Sequence, residues 1–178
     1  MAALFVESGS LPGGNTMLKK ALVVIDIQND ITKNYKEIIE NLNKAIDWAV
    51  GNDIPVVYIR HENLSGGART FKPDTYGSEL AFDLKIASDI LFTKYKANAL
   101  SSEEFRDFIN KNGIDEFYIT GADAAVCVKS TVYNLLKADY EVSVLSDCIT
   151  SYDKRKIAEM LQYYESKGSK ILSLDTLD

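Results

Sequence analysis

The stretch FYITGADAAVCV, residues 117–128, combines a strand, a turn of small residues and a cysteine where a helix begins. Its apolar first residues predict a buried strand, and 121–125 predict a turn. The apolar residues behind Cys127 repeat at helical spacing: Val128, Val132, Leu135 and Leu136. The N–H groups and dipole at a helix start favour a thiolate, so Cys127 is a candidate nucleophile. A small buried thiol is the alternative interpretation.

The composition bounds the class of protein. The chain has 178 residues, 46% of them hydrophobic and 26% charged, which indicates a globular domain. A net charge of -6 argues against a nucleic-acid partner. No apolar run approaches about 18 residues, so no membrane partner is expected. Two cysteines and one histidine make neither a disulfide framework nor a structural zinc site. We therefore expect a reducing, cytoplasmic location.

The N-terminal residues differ in character from the rest. Residues 1–16 contain the linker-like segments 8–10 and 12–14, and a second methionine follows at Met17. We interpret 1–16 as an expression leader, with a natural disordered arm as the second interpretation. Residues 17–178 are expected to form a single domain.

Strands and helices alternate along that domain. Continuous apolar runs predict six strands, at 21–25, 54–59, 90–93, 117–120, 141–145 and 170–174. Helices are predicted at 35–50, at 78–87, from a capping box of Ser101 and Glu104 to Gly113, from Cys127, and after a cap at Ser151 or Asp153. Alternation of this kind predicts an α/β fold with a parallel sheet covered on both faces. The polar stretch 60–76 is long enough to be a functional loop.

Three reactive residues follow three of these strands. Asp26, Lys94 and Cys127 each lie at or just beyond a predicted strand end, and ligands of an open parallel sheet bind outside those ends. Asp26 can accept the thiol proton, Lys94 can stabilise negative charge, and N–H groups of the turn can form an oxyanion hole. Attack of the thiol on an amide carbonyl would give a thioester. As alternatives, Asp26 can be a helix cap, and Lys96 is a rival to Lys94.

At these residues the sequence resembles the isochorismatase-like cysteine hydrolases, over residues 18–174. The resemblance is carried by VVIDIQND at 23–30, by Lys94 with Ala99, by Gly121 followed by Cys127 and Val128, and by Ser146, Asp147 and Cys148. It implies a three-layer, doubly wound, six-stranded parallel sheet with the strand order 3-2-1-4-5-6. It also implies that the protein forms a homo-oligomer, a dimer or larger.

The resemblance also implies the roles of site residues. Asp26, Lys94 and Cys127 would be the catalytic triad, and the backbone N–H groups of Asp123 and Cys127 would form the oxyanion hole. A cis peptide bond would fall between Ala122 and Asp123. The family more often has a small or apolar residue at the position of Asp123, and we expect the Asp123 side chain to point away from the pocket. Nicotinamidases of the family bind a metal through an Asp-x-His motif and a further histidine. Because this chain has one histidine, we expect neither a metal, nor another cofactor, nor nicotinamidase activity.

Further residues are candidates for substrate contact. They are Gln28, Arg60, His61, Arg69, Tyr76 and Asn98. An arginine can hold a substrate carboxylate in a bidentate pair, although arginines also solubilise long loops. His61 can equally be a plain loop residue. Tyr76 and Tyr95 can line a pocket or pack one subunit against another.

The function predicted from the sequence is cysteine-dependent hydrolysis of a small amide or ureido compound through a thioester. Vinyl-ether hydrolysis of the isochorismate type is the first alternative. A non-catalytic scaffold or thiol sensor of the same fold is the second. A flavodoxin-like nucleotide binder is disfavoured, because the chain has neither a G-x-G-x-x-G nor a P-loop motif.

Overall fold

The computed structural model describes residues 19–178, so the expected leader at 1–16 lies outside the described residues. The strands are β1 Lys19–Ile25, β2 Val56–His61, β3 Leu91–Lys94, β4 Ile114–Gly121, β5 Glu141–Ile149 and β6 Lys170–Leu172. They form one six-stranded sheet in the order β3-β2-β1-β4-β5-β6, and every neighbouring pair is parallel. The predicted strand order is therefore confirmed.

Helices cover both faces of this sheet. They are α1 Thr32–Tyr35, α2 Ile39–Gly51, α3 Glu103–Asn112, α4 Cys127–Lys137 and α5 Lys156–Ser166. In β1, Ala21, Val23 and Ile25 pack with α3, α4 and α5, whereas Leu22 and Val24 pack with α2 on the other face. This alternation is the two-residue period of a strand with both faces buried, and it produces the three layers. Among residues 19–178, no helix is both long and apolar enough to cross a bilayer.

The chain adds strands toward one edge of the sheet from β1 to β3 and toward the other edge from β4 to β6, so the strand order reverses between the neighbours β1 and β4. Ile25 is paired with Gly121 at the carboxyl ends of these strands. Gly121 has φ 116°, and a Cβ atom there would lie 2.2 Å from the Ile25 carbonyl oxygen. Only glycine permits this approach. The two strand ends are thus held together at the switch point, where an open parallel sheet binds ligands.

The predicted helix at 78–87 is wrong. The structure has a short 3-10 turn at Tyr76–Ser78, a second turn in which Leu84 N bonds Ala81 O, and then irregular chain up to β3. Side chains of other elements satisfy the backbone of this segment. Asn43 of α2 bonds Asp83 O and Lys85 N, and the Tyr58 hydroxyl bonds Lys85 O and Ala87 N. With its polar groups satisfied from outside, the segment has no need of helical hydrogen bonds.

The predicted helix caps are also corrected. Ser102, not Ser101, caps α3 by accepting a hydrogen bond from Phe105 N. Neither Ser151 nor Asp153 is the N-cap of α5, which is Arg155. Asp153 instead accepts a bond from Arg155 N in the turn before the helix. The helix predicted at 35–50 is divided, because a 3-10 turn at Lys36–Ile38 precedes α2.

Candidate active site

The side chains of Asp26, Lys94 and Cys127 meet at the carboxyl edge of the sheet. Lys94 Nζ lies 2.9 Å from Asp26 Oδ2 and 3.3 Å from Cys127 Sγ. The Lys94 and Asp26 side chains are 0% and 3% exposed. Lys96, the rival lysine, is exposed and makes no hydrogen bond or ion pair through its side chain within the described residues. The sequence thus predicted which three side chains the fold brings together.

Each of the three is positioned by the end of an element. Asp26 follows β1 with φ 55°, in the left-handed region that aspartate tolerates better than most residues. Lys94 is the last residue of β3, and Cys127 is the first of α4. Because parallel strands end at the same edge, groups distant in sequence converge without a long loop.

The charge state of the thiol differs from the sequence expectation. Burial, followed by the charge of Asp26, raises the pKa of Cys127 to about 12. The helix start had favoured a thiolate, but the loss of solvation inside the pocket is the larger effect. Burial also raises the pKa of Asp26, against the opposing influence of Lys94. The geometry therefore favours a neutral thiol beside a carboxylate of increased basicity.

The turn between β4 and α4 contains two N–H groups that have no partner in the described part of the chain, residues 19–178. The other N–H groups of the turn are satisfied: Ala122 by Ile25 O, Ala124 by Thr150 O, Ala125 by Asp123 Oδ1, and Val126 and Val128 by Asp123 O. Those of Asp123 and Cys127 have no hydrogen-bond acceptor among residues 19–178. The peptide bond between Ala122 and Asp123 is cis. The two N–H groups predicted for an oxyanion hole are thus available to a ligand.

The Asp123 carboxylate accepts hydrogen bonds from four donors that do not belong to the group of Asp26, Lys94 and Cys127. Its Oδ1 accepts bonds from Ala125 N at 2.8 Å and Ser151 Oγ at 2.7 Å. Its Oδ2 accepts bonds from Tyr152 N at 2.8 Å and the Tyr35 hydroxyl at 3.2 Å. These four donors hold the side chain in the turn, which it stabilises.

His61 lies against the same ammonium group. Its Nδ1 is 3.0 Å from Lys94 Nζ, and its Nε2 is 3.0 Å from Asn63 Oδ1. Burial, and then the charge of Lys94, lower the pKa of His61. His61 is therefore part of the site although it was predicted only as a candidate for substrate contact.

A metal would have to compete with that ammonium group. One potential ligand atom from each of Asp26, His61 and Cys127 lies within 4.8 Å of the other two. These are ligand types that Zn²⁺ accepts. However, Lys94 Nζ lies within 3.3 Å of all three residues and already supplies a positive charge between them. The residues present fit an ammonium group better than a metal ion, and the absence of a metal remains a prediction.

Two of the predicted substrate contacts have structural roles instead. Gln28 is fully buried, and its amide bonds His61 O at 2.8 Å, Ser78 O at 2.7 Å and His61 N at 3.0 Å. Arg60 bonds Thr93 Oγ1 and pairs with Glu62. Because alternate residues of a strand face opposite sides of the sheet, Arg60 points away from the side of His61.

The remaining candidates lie outside the triad's contacts. Asn98 uses its Oδ1 to accept a bond from Leu100 N, so it caps the turn after β3. Arg69 and Tyr76 are exposed, and neither contacts the triad. Their part in substrate binding stays a prediction.

Some residues that shape the site had no signal in the sequence. Tyr35 and Ser151 fix the Asp123 carboxylate, and Asn63 orients His61. Thr131 of α4 accepts a bond from Ala99 N and so ties the turn after β3 to the helix of Cys127. Asn63 is two residues from His61, but the other contacts join residues at least 28 positions apart, and no local pattern reports such a contact.

The comparison with known protein families bears on this arrangement. The model of the isochorismatase domain family matches residues 20–176. The chain belongs to the isochorismatase family. The family protein 2A of Dictyostelium discoideum is 26% identical to it over 163 residues, 88% of this chain and 79% of that protein. An Arabidopsis thaliana protein named "probable inactive nicotinamidase" is 26% identical over 153 residues, 71% of this chain and 78% of its own.

Two solved structures share the architecture of this chain. An isochorismatase-like hydrolase from Alkaliphilus metalliredigens has a TM-score of 0.82 and 26% identity, over 89% of this chain and 96% of its own. The N-carbamoylsarcosine amidase of Thermoplasma acidophilum has a TM-score of 0.78 and 22% identity, over 90% of this chain and 99% of its own. The likeness to the amidase, at that identity, concerns the fold.

Proposed function

We propose that this isochorismatase-family protein is a cysteine-dependent hydrolase of a small amide or ureido compound. One observation carries the proposal: a buried ammonium, Lys94, contacts both a carboxylate and a thiol, beside a turn in which two N–H groups find no acceptor among the described residues. Nucleophile, base and oxyanion donors are the parts that acyl transfer requires. The shared fold with an N-carbamoylsarcosine amidase supports the substrate class.

The first half-reaction would form a thioester. Cys127 Sγ bonds to the amide carbon while its proton passes to the Asp26 carboxylate. The carbonyl oxygen becomes an oxyanion, which the N–H groups of Asp123 and Cys127 would stabilise. Collapse of this intermediate breaks the C–N bond, and Asp26 returns the proton to the departing nitrogen. The raised pKa of Asp26 suits both transfers, because it makes the carboxylate a stronger proton acceptor while the protonated form can still donate to the departing nitrogen.

The second half-reaction would release the acid. Asp26 takes a proton from a water molecule as its oxygen attacks the thioester carbon. The C–S bond breaks, and the proton returns to Cys127 Sγ. Lys94 stays charged throughout and stabilises whichever neighbour is negative. No proton has to leave the pocket during either half.

A catalytically silent protein of the same fold is the second candidate. The name of the Arabidopsis relative favours it. A thiol-sensor role is less well supported, because a thiol whose pKa is about 12 is scarcely ionised at neutral pH and reacts slowly with oxidants.

The test is ammonia release from a panel of small amides and ureido acids. We expect turnover by the wild-type protein and by Cys148→Ala, and none above background by Cys127→Ala. Cys148 is a matched control because it is the other thiol, buried away from the triad. Mass spectrometry after an acid quench should find the acyl group on Cys127. Full activity in Cys127→Ala would refute the nucleophile, whereas turnover of no panel member would favour the silent protein.

A further inference from the structure

We infer that His61 is a positioning residue of this site: as a neutral Nε2–H imidazole it accepts the third proton of Lys94 and so orients the ammonium. The inference begins with the donors of Lys94. An ammonium group has three protons and no acceptor. Lys94 Nζ contacts Asp26 Oδ2 at 2.9 Å, Cys127 Sγ at 3.3 Å and His61 Nδ1 at 3.0 Å. Each proton therefore has one partner, and His61 is the one that the proposed chemistry does not use.

The partner on the other side of the ring fixes the tautomer. Asn63 Nδ2 donates to Thr70 O at 2.9 Å, which turns Asn63 Oδ1 toward His61 Nε2. An amide oxygen can only accept, so Nε2 must carry a proton. A second proton on Nδ1 would face the ammonium, donor against donor, in a buried pocket. The ring is therefore neutral, with its lone pair on Nδ1.

The charged surroundings favour the same state. The titratable groups that face the ring are Lys94 from β3, Asp26 from the end of β1 and Cys127 from α4. The side chain of Phe71 covers another side, with its ring centroid 5.9 Å away. Burial and Lys94 both act against an imidazolium, and they outweigh the attraction of Asp26 and the hydrogen bonds of the ring to Asn63 and to the Lys96 backbone.

His61 also connects the ammonium to the loop that follows β2. Asn63 N donates to Phe71 O at 2.8 Å, and Phe71 N donates to Asp30 Oδ2 at 2.7 Å. The loop 63–71 is thus closed on itself and fastened beside the end of β1. A proton added to His61 would break its bond to Lys94 while the loop stayed fastened.

The first test needs no variant, because His61 is the only histidine in the chain. Protein labelled with 15N-histidine and carrying no histidine tag gives one imidazole. At pH 7 we expect a pyridine-like shift for Nδ1 and a pyrrole-like shift for Nε2. An Nδ1–H tautomer or an imidazolium at that pH overturns the inference. This readout does not depend on turnover, so it stands apart from the proposed function.

The second test compares two substitutions at His61 in a Cys148→Ala background. Asn offers an acceptor near the position of Nδ1 but does not titrate, whereas Leu offers none. We expect His61→Leu to lower kcat about 100-fold, the scale of a misplaced catalytic group. His61→Asn should restore kcat to within ~10-fold of wild type. Equal losses in two folded variants would contradict the role as an acceptor.

The pH profile separates positioning from a merely structural role. If activity requires both an ionised Asp26 and a neutral His61, the plot of log kcat/KM against pH for the wild type has a limiting slope of two at acid pH. In His61→Asn the slope should be one. The same slope in both proteins overturns the inference. The kcat readouts rest on the proposed function, so the rate of Cys127 alkylation by iodoacetamide is measured alongside. A change in that rate in His61→Leu, without amide turnover, would support His61 and count against the hydrolase.

Discussion

The Asp26 carboxylate is under two opposed influences. Burial raises its pKa and the neighbouring Lys94 lowers it, and burial is the larger. A base must be ionised to accept the thiol proton. The rate kcat/KM should therefore fall as the pH drops through the raised pKa of Asp26, at a higher pH than for a free aspartate, whose pKa is about 3.9. Asp26→Asn, which cannot accept the proton, should lower kcat by about 10²–10⁴-fold.

The matched control for that substitution is Asp53→Asn. Asp53 has the same φ of 55° as Asp26, but it is exposed after α2, away from the triad. We expect wild-type kcat and stability from it, because asparagine tolerates the left-handed region as aspartate does. An active Asp26→Asn protein with an unchanged acid limb would remove Asp26 from the mechanism.

Gly121 is the residue on which the switch point depends. Gly121→Ala should lower the free energy of unfolding by about 2–4 kcal/mol, since its Cβ meets the Ile25 backbone and its φ is positive. Gly51→Ala is the comparison, because a Cβ atom at that helical position meets nothing within 4 Å. It should be neutral or stabilise the protein by up to about 1 kcal/mol. Denaturant unfolding measures both, and similar values would contradict the clash.

At the scale of single residues, the sequence predicted which three side chains meet at the edge of the sheet but not the charge state of the thiol. The predicted strand ends place Asp26, Lys94 and Cys127 at one edge of the sheet, because local sequence patterns show where each strand ends. The pKa of Cys127 depends on how completely distant segments exclude water from it. The helix start is visible in sequence, whereas the burial that overrides it is not.

At the scale of elements, Gln28 joins β1, β2 and the 3-10 turn at Tyr76–Ser78. Gln28→Met keeps the length of the side chain but leaves His61 N–H, His61 C=O and Ser78 C=O without their partner. We expect the free energy of unfolding to fall by about 3 kcal/mol or more, since each buried unpaired group costs about 1–3 kcal/mol. Hydrogen exchange at the His61 amide should accelerate.

The exposed glutamine of α5 supplies the control for this substitution. Gln162→Met changes the same chemical group on the surface of the helix. Its unfolding free energy should stay within about 0.5 kcal/mol of wild type. Equal effects of the two substitutions would show that the buried amide contributes nothing particular.

Elements that follow a regular apolar pattern were predicted correctly, whereas segments whose conformation is set by side chains distant in sequence were not. The six strands and the helix after Cys127 follow from runs and periods in the sequence. The segment 78–87 has a helix-compatible composition, but Tyr58 and Asn43 bond its backbone, which forms turns and irregular chain instead of an α-helix. Ser151 has the chemistry of a helix cap, but it donates to Asp123 instead.

At the scale of the whole molecule, apolar side chains are exposed around the site. Phe82 is 78% and Tyr152 is 74% exposed. Each is anchored by its backbone beside the site, to Asn29 and to Asp123 respectively. Such residues are common at interfaces between subunits. Sedimentation should therefore give a mass above that of one chain, and Phe82→Ser with Tyr152→Ser should shift it toward the monomer.

The control for this experiment is Val50→Ser. Val50 is also more than half exposed, but it lies at the end of α2, away from the carboxyl edge of the sheet. It should leave the mass unchanged. A wild-type protein that sediments as a single chain at every concentration would contradict the homo-oligomer.

The ion pair of Lys94 and Asp26 is buried away from water, so dissolved ions cannot approach it closely either. Salt weakens attraction between surface charges, with a Debye length of about 10 Å at 0.1 M, but it weakens a buried pair much less. Ionic strength should thus leave the hydrolysis of an uncharged amide almost unchanged. A rate of hydrolysis that depends on salt would then indicate that the substrate is charged and that it passes charged surface residues on its way to the site. The salt response of a series of substrates therefore reveals how each one reaches the pocket.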